Sequence, residues 1–227
     1  MEGADRKAKG ASDLGVRAAS AVVMLAVAGV ALWLGGTVWS VFVLAIAAGV
    51  MWEWSRLTLR MTDKVAPRVI WILVGIVYIT VAARMLEYVR GLEPDGLVGT
   101  LAIVAAVIAV DVGAYFAGRS IGGPKIAPKI SPSKTWAGLG GGIVGATLLL
   151  AAYFHQTTGT PSAAITAGPV IAVIAQAGDF FESWMKRRAG VKDSSALIPG
   201  HGGLFDRVDG LLAVLFLAGI LHALGMM

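Results

Sequence analysis

The sequence predicts an all-α, polytopic integral membrane helix bundle with about seven transmembrane helices. Hydrophobic residues make up 57% of the 227 residues and charged residues only 15%, whereas a soluble domain is about 45–50% apolar and about 25% charged. The apolar residues form runs close to the roughly 20 residues that cross a ~30 Å hydrocarbon core. These runs do not alternate and exceed the about 10 residues of a barrel strand, so helices are favoured over strands.

Seven apolar segments fit this pattern in chain order. They are Val16–Leu34, Thr37–Ser55, Pro67–Met85, Leu97–Gly118, Trp136–Phe154, Pro161–Phe181 and Val208–Leu224. The first could be a signal peptide, but its run is too long and a second span follows at once, so we interpret it as a retained helix. The chain then divides into an N-terminal tail (1–15), three helices (16–95) and a C-terminal catalytic region (96–227).

Basic residues are concentrated beside alternate connections. Seventeen of the 19 Lys and Arg residues lie before or at the start of the first span, or follow the second, fourth and sixth spans. The other side holds the remaining two, Arg84 and Arg90. Because Lys and Arg stay on the cytoplasmic side, we expect a cytoplasmic N-terminus. After an odd number of spans, the C-terminus is expected outside. The predicted location is the inner (plasma) membrane, with a multi-pass topology.

Composition also excludes several classes of site. The sequence has no Cys, which excludes disulfides, a thiolate nucleophile and Cys-ligated zinc or iron–sulfur sites. Topology and attraction to anionic lipid headgroups explain the net charge of +5, so no nucleic-acid partner is expected. Two connections on the predicted cytoplasmic side, 119–135 and 182–207, are long and polar, and polar groups retained at a membrane indicate function.

The richest polar segment is 178–210, GDFFESWMKRRAGVKDSSALIPGHGGLFDRVDG. Asp179, Ser183 and Lys186 fall at i, i+4 and i+7, which places an acid, a hydroxyl and a base on one helix face. Arg187 is rotated by about 100° from that face. This spacing predicts a polar site at the end of the sixth span.

Asp206 and Asp209 share a face at the start of the last span, because they are spaced i and i+3. The turn-forming sequence PGHGG separates the two helix ends, so we expect three carboxylates to approach one another. Clustered carboxylates beside Lys and Arg are typical of sites that hold Mg²⁺ while the bases hold phosphates. The alternative is a solvated inner loop, but acids gain nothing from the positive-inside rule.

A second polar segment is 111–135, DVGAYFAGRSIGGPKIAPKISPSKT. Asp111 lies about seven residues, ~10 Å, inside the cytoplasmic end of the fourth span. An ionisable group at that depth is a functional candidate, with a polar contact between helices as the alternative. Ser131, Lys134 and Thr135 precede the fifth span, close to a helix N-terminus where anions bind.

Weaker signals receive structural interpretations. Gly138, Gly142 and Gly145 have the spacing of close helix packing rather than of a nucleotide loop. Small-residue faces on the first, second and fifth spans make a homodimer plausible. Glu53, between two Trp residues, is interpreted as an interfacial anchor, with a place in the site as the alternative. His201 either contacts substrate or serves the PGHGG turn.

The stretch SWMKRRAGVKDSSALIPGHGGLFDRVD resembles the signature of phosphatidate cytidylyltransferases, also called CDP-diacylglycerol synthases. That signature reads S-x-x-K-R, K-D, H-G-G and D-R-x-D at this spacing. The matching residues are Ser183, Lys186, Arg187, Lys192, Asp193, His201, Gly202, Gly203, Asp206, Arg207 and Asp209. DVGAYFAGR and SPSKTWAGLGGG also look like the family's upstream pattern, so the resemblance covers about residues 100–215.

The resemblance implies that CTP and phosphatidate give CDP-diacylglycerol and pyrophosphate, by in-line attack of a lipid phosphate oxygen on the α-phosphorus of CTP. It implies Mg²⁺ as cofactor, alone or with a second monovalent or divalent cation. The implied metal ligands are Asp179, Asp206, Asp209 and Asp111. The implied phosphate-neutralising residues are Lys186, Arg207 and Lys192. The implied substrate-positioning residues are Ser183, Ser131, Lys134, Thr135, Arg187, Asp193 and His201.

Two other functions remain as alternatives. A CTP-dependent lipid kinase, of the dolichol or phytol kinase type, would use a similar site but transfer the γ-phosphoryl group. A transporter with a midplane site would have broken helices and polar residues deep in several spans. Only Asp111 approaches that pattern, so the expected partners are CTP, phosphatidate and membrane lipid.

Overall fold

The computed structural model describes residues 2–226, with side chains described from Gly15 to Met226. The basic residues Arg6, Lys7 and Lys9, which we assigned to a cytoplasmic tail, have side chains outside that range. In the described residues the chain forms seven α-helices. They are α1 (Glu2–Leu34), α2 (Gly36–Met61), α3 (Val65–Gly91), α4 (Gly96–Ser120), α5 (Trp136–Thr157), α6 (Ala164–Arg188) and α7 (Phe205–Ala223).

Six of these helices are long and apolar enough to cross a membrane, so the chain is a multi-pass membrane protein. The six candidate spans lie in α1 to α6. Helix α7 has 19 residues, or about 28 Å of length, and its first five positions include Asp206, Arg207 and Asp209. The helical bundle is therefore confirmed, and six candidate spans are found where we expected about seven.

The connection between α4 and α5 contains a small hairpin that we did not predict. Strand β1 (Lys125–Ala127) pairs antiparallel with β2 (Ser131–Thr135). The fold is thus all-α apart from this two-stranded sheet. Thr135 ends β2 and caps α5, because its hydroxyl oxygen accepts a hydrogen bond from Gly138 N at 3.0 Å. The hairpin therefore leads directly into α5.

Close helix packing explains the glycines at the start of α5, as predicted. A Cβ on Gly142 would lie 3.1 Å from Val110 O, and a Cβ on Gly145 would lie 2.5 Å from Ala109 O. Only glycine allows the α5 backbone to approach α4 at this distance. The glycine face of α5 is therefore occupied by α4 inside the chain, and a homodimer through the first or second span stays a prediction.

An aromatic core joins α2 and α3 to α6 and α7. Trp54 is fully buried and donates from Nε1 to Trp71 O at 2.8 Å. Its ring centroid lies 5.7 Å from those of Phe181 on α6 and Phe205 on α7. Gly75 makes room for it, since a Cβ there would lie 2.4 Å from Trp54 Nε1. This packing holds the start of α7 against the C-terminal half of α2.

Candidate active site

Lys134, on β2, is the centre of a first polar group. Its ammonium group pairs with Asp179 of α6 and lies 3.9 Å from Asp111 Oδ1 of α4. We call Lys134, Asp111 and Asp179 the hairpin cluster. Burial lowers the pKa of Lys134, but the nearby carboxylates, chiefly Asp179, raise it more, so its pKa lies above the ordinary value. The hairpin thus brings a permanent cation to carboxylates from two helices.

Lys186, near the end of α6, is the centre of a second group. Its Nζ lies 2.5 Å from Glu182 Oε2 and 2.6 Å from Asp206 Oδ1 of α7. We call Lys186, Glu182 and Asp206 the buried cluster, because their side chains are 12%, 1% and 5% exposed. Ser183 donates to Asp179 Oδ1 at 3.3 Å, as the i, i+4 spacing predicts. Lys186 turns instead toward Glu182 and Asp206.

Asp206 also organises the loop that precedes α7. Its Oδ2 accepts hydrogen bonds from Ser194 N at 2.9 Å, Ser194 Oγ at 2.7 Å and Gly203 N at 2.8 Å. Its Oδ1 accepts the bond from Lys186. Both carboxylate oxygens are therefore engaged by donors that fix the loop and the first turn of α7.

Asp209 lies one helical turn beyond Asp206, between the hairpin cluster and Lys186 of the buried cluster, with both of which it interacts electrostatically. It is close enough to Asp179 and Asp111 for electrostatic interaction, and its Oδ1 accepts a hydrogen bond from Gly210 N at 2.7 Å. Arg207 is exposed and interacts electrostatically with Asp111. The start of α7 therefore directs one carboxylate into the buried cluster and places the other between the two clusters.

The remaining predicted residues lie around these clusters. On β2, Thr135 is 2% exposed and its side chain caps α5, while Ser131 is opposite Ala127 at the other end of the strand. Arg187 is exposed, and its Nη1 lies 3.5 Å from Val191 O. The substrate roles of all three predicted residues stay predictions.

The loop after α6 exposes three further predicted residues to different degrees. Lys192 and Asp193 are exposed, and His201 is half-buried. His201 Nδ1 lies 2.9 Å from Ser20 Oγ of α1, and Ser20 Oγ is also 3.0 Å from Pro199 O. The turn that carries His201 therefore contacts the first span, which supports the turn interpretation, and contact of His201 with substrate stays a prediction.

The structure brings two further acids to this region: Glu53, for which a place in the site was only the alternative interpretation, and Glu182. The interpretation of Glu53 as an interfacial anchor is wrong, because its side chain is fully buried and accepts hydrogen bonds from Ser194 and Ser195. Glu182 was not singled out, although a Glu four residues before Lys186 is the spacing of a helical ion pair. For Glu53 the only sequence signal was an acid inside an apolar run.

The carboxylates fit Mg²⁺ only as part of a site completed by other ligands. Among the described side chains, no group of three His, Asp or Glu could hold a metal ion by itself. Mg²⁺ is usually bound by one or two carboxylates together with substrate phosphates and water. The exposed Asp111, the partly exposed Asp179 and the more buried Asp209 offer such oxygens. Asp206 fits this role less well, since four hydrogen bonds already engage its oxygens.

Comparison with known proteins identifies the family. A family model described as the cytidylyltransferase family matches residues 58–224. A phosphatidate cytidylyltransferase from Brucella suis biovar 1 is 33% identical over 261 aligned positions, which cover 93% of this chain and 95% of that protein. The chain belongs to the cytidylyltransferase family. The family match contains both clusters but excludes Glu53, which precedes it.

Two other members of the family show how the similarity is distributed. The phosphatidate cytidylyltransferase of Rickettsia typhi is 30% identical over 213 positions, covering 90% of each chain. That of Haemophilus influenzae is 45% identical over 124 positions, covering 52% of this chain and 43% of the other. Similarity to the family therefore extends along most of the chain, and the higher identity is confined to about half of it.

Proposed function

We propose that this protein transfers the cytidylyl group of CTP to phosphatidate, giving CDP-diacylglycerol and pyrophosphate in phospholipid biosynthesis. The observation that carries the proposal is the meeting of two lysines with carboxylates from α4, α6 and α7 at one end of the bundle. Both substrates are phosphate anions, and one of them is a membrane lipid. Relatives that align with 90% or more of this chain bear the name phosphatidate cytidylyltransferase.

The proposed site faces the cytoplasm, where CTP is available. The ends of α2, α4 and α6 meet the starts of α5 and α7 there, through contacts such as Lys134 with Asp179 and Ser194 with Glu53. Most Lys and Arg residues flank this end, which supports a cytoplasmic orientation in the inner (plasma) membrane. We further propose that α7 is the seventh span, with its charged first turn at the headgroup level.

In the proposed reaction, a phosphatidate oxygen attacks the α-phosphorus of CTP, and the bond from this phosphorus to the β-phosphate oxygen breaks. Such a transfer needs little covalent help, so positioning and charge neutralisation provide most of the catalysis. Lys134, Lys186 and Arg207 would neutralise phosphate oxygens. Ser183, held against Asp179, would help to orient a phosphate by donating or accepting a hydrogen bond.

The carboxylates would hold Mg²⁺ together with the phosphates of CTP. Asp179 and Asp209 are the strongest candidates, with Asp111 beside them, and a bound Mg²⁺ would supply neutralisation of the developing phosphate charge. In this proposal Asp206 contributes mainly by fixing Lys186 and the loop before α7. Lys192, Arg187, Asp193, Ser131, Thr135 and His201 would border the nucleotide or the lipid headgroup. A second cation and a homodimer stay predictions.

Product analysis with labelled CTP tests the proposal. Purified protein in detergent receives phosphatidate, Mg²⁺ and CTP labelled at the α-phosphate, and the lipid fraction is then separated. We expect label in the lipid and release of unlabelled pyrophosphate. Label that enters lipid only from γ-labelled CTP would indicate a CTP-dependent lipid kinase. Absence of any lipid product would contradict both enzymes and favour a function such as transport.

A further inference from the structure

Glu53 on α2 contacts the loop and helix that carry the proposed catalytic acids, although it lies about 140 to 150 residues away from them in sequence. Its side chain is fully buried. Glu53 Oε2 accepts hydrogen bonds from Ser194 Oγ at 3.0 Å and from Phe205 N at 2.6 Å. Glu53 Oε1 accepts bonds from Leu204 N at 2.9 Å and from the hydroxyl of Ser195.

These bonds supply the cap that α7 lacks. Leu204 is the N-cap residue of α7, and its apolar side chain makes no capping hydrogen bond. The first N–H groups of a helix have no partner inside it, and when buried they need an acceptor. The Glu53 carboxylate accepts from two of them, at Leu204 and Phe205. A residue of α2 therefore provides the N-terminal cap of α7.

The same carboxylate is linked to Asp206. Ser194 Oγ lies 3.0 Å from Glu53 Oε2 and 2.7 Å from Asp206 Oδ2. The space between these groups is filled, because a Cβ on Gly203 would lie 2.7 Å from Glu53 Oε1 and 2.9 Å from Asp206 Oδ2. A shift of Glu53 would therefore displace the loop, Asp206 and the start of α7 together.

We propose that Glu53 is a positioning residue that sets the orientation of the first turn of α7, and so of Asp206 and Asp209, in the active site. This inference rests on the proposed function. Leu204 N, Phe205 N and the Ser195 hydroxyl donate to Glu53, and the single hydroxyl proton of Ser194 is shared between Glu53 and Asp206. Both oxygens of Glu53 are therefore used as acceptors. Glu53→Gln keeps the shape of the side chain but turns one acceptor into a donor that faces other donors.

Glu53→Gln is compared with wild type and with Glu87→Gln, a matched control on α3 whose side chain pairs with Arg84 away from the site. For Glu53→Gln we expect kcat to fall about 10- to 100-fold from misplacement of reacting groups, and KM for both substrates to change less than about threefold. Hydrogen exchange of peptides covering 203–207 should rise about tenfold or more. Glu87→Gln should match wild type in all three measurements.

Several outcomes would overturn the proposal. They are a Glu53→Gln variant with wild-type kcat, a loss confined to KM, or unchanged exchange at 203–207. If Glu53→Gln does not fold, the role of Glu53 is tested with Ser195→Ala. This variant removes one hydrogen-bond donor to Glu53 and leaves the Glu53 carboxylate in place. We expect a smaller fall in kcat with faster exchange at 203–207, and wild-type behaviour would reject the role. Failure of the wild-type protein to form CDP-diacylglycerol would reject the proposed function. Hydrogen exchange at 203–207 would still test whether Glu53 holds the start of α7.

Discussion

The ammonium group of Lys186 on α6 lies 2.6 Å from Asp206 Oδ1 on α7, so one ion pair joins the two helices that carry most of the proposed catalytic residues. Lys186 also contacts Glu182, one turn earlier on α6. A single buried cation thus lies between two acids. Because breaking a buried pair leaves an uncompensated charge, Lys186 has a structural role in addition to any contact with phosphate.

Lys186→Met should abolish most activity and also lower the thermal stability of the purified protein. The loss of one partner from a buried ion pair costs about 3–5 kcal/mol, and the variant also lacks a cation for phosphate. Arg188→Met is the control, because Arg188 is exposed and its guanidinium lies 5.6 Å from the Trp184 ring. Turnover and melting temperature are measured at two ionic strengths. Equal, salt-sensitive losses in both variants would indicate general surface charge instead.

Asp209→Asn and Asp206→Asn should fail in different ways. We expect Asp209→Asn to lower kcat at least about 100-fold with a smaller loss of stability than Asp206→Asn, because the Asp209 carboxylate is proposed to hold Mg²⁺ and accepts a hydrogen bond from Gly210 N in its own helix. Asp206→Asn should lose activity together with stability, because Asp206 accepts four hydrogen bonds. Wild-type activity should disappear with EDTA and return with Mg²⁺. Normal turnover of Asp209→Asn in saturating Mg²⁺ would contradict the metal assignment.

The sequence predicted the helices better than it predicted their contacts. Apolar runs are local features, so all seven helices were found, although α2 runs to Met61 where we expected an end near Ser55. The hairpin was missed because β2, SPSKT, contains Pro and lacks the alternation typical of a strand. Its consequence, the contact of Lys134 with both Asp111 and Asp179, could not be predicted from spacing.

The polar site was predicted in composition but not in arrangement. The i, i+4 relation of Asp179 and Ser183 is local, and the structure has that hydrogen bond. The partners of Asp206 and Glu53 come from other elements, and a periodic pattern carries no information about such pairs. An isolated acid in an apolar helix indicates that some partner exists, but only the packing of α2 against α7 identifies it.

The proposed orientation is tested by labelling introduced cysteines, which is direct because the chain has none of its own. The two variants are Thr158→Cys, after α5, and Ala196→Cys, in the loop before α7. Both positions are exposed. In sealed, right-side-out cells, a membrane-impermeant thiol reagent should label position 158 and leave position 196 unlabelled. Permeabilised cells should be labelled at both. Labelling of position 196 alone in intact cells would place the site outside, away from cytosolic CTP.

Gly203→Ala should impair the site through a single methyl group. A Cβ at Gly203 would lie 1.9 Å from Ser194 Oγ and 2.9 Å from Asp206 Oδ2, so the loop before α7 must move. Overpacking of this kind costs about 1–3 kcal/mol. Because the displaced groups hold Asp206, we expect the loss of turnover to be larger than the loss of folded protein alone would explain.

Gly140→Ala is the matched control for Gly203→Ala, since no heavy atom lies within 4 Å of a Cβ built at Gly140 in α5. Alanine also has the higher helix propensity, by about 1 kcal/mol, so this variant should be as stable as wild type or more so. Thermal unfolding and turnover per folded molecule are measured for both variants. If Gly203→Ala matched Gly140→Ala in turnover, the filled space between Ser194, Glu53 and Asp206 would not matter for catalysis. If Gly203→Ala lowered the stability and left the turnover per folded molecule unchanged, the contacts around Asp206 would stabilise the fold without orienting the reacting groups.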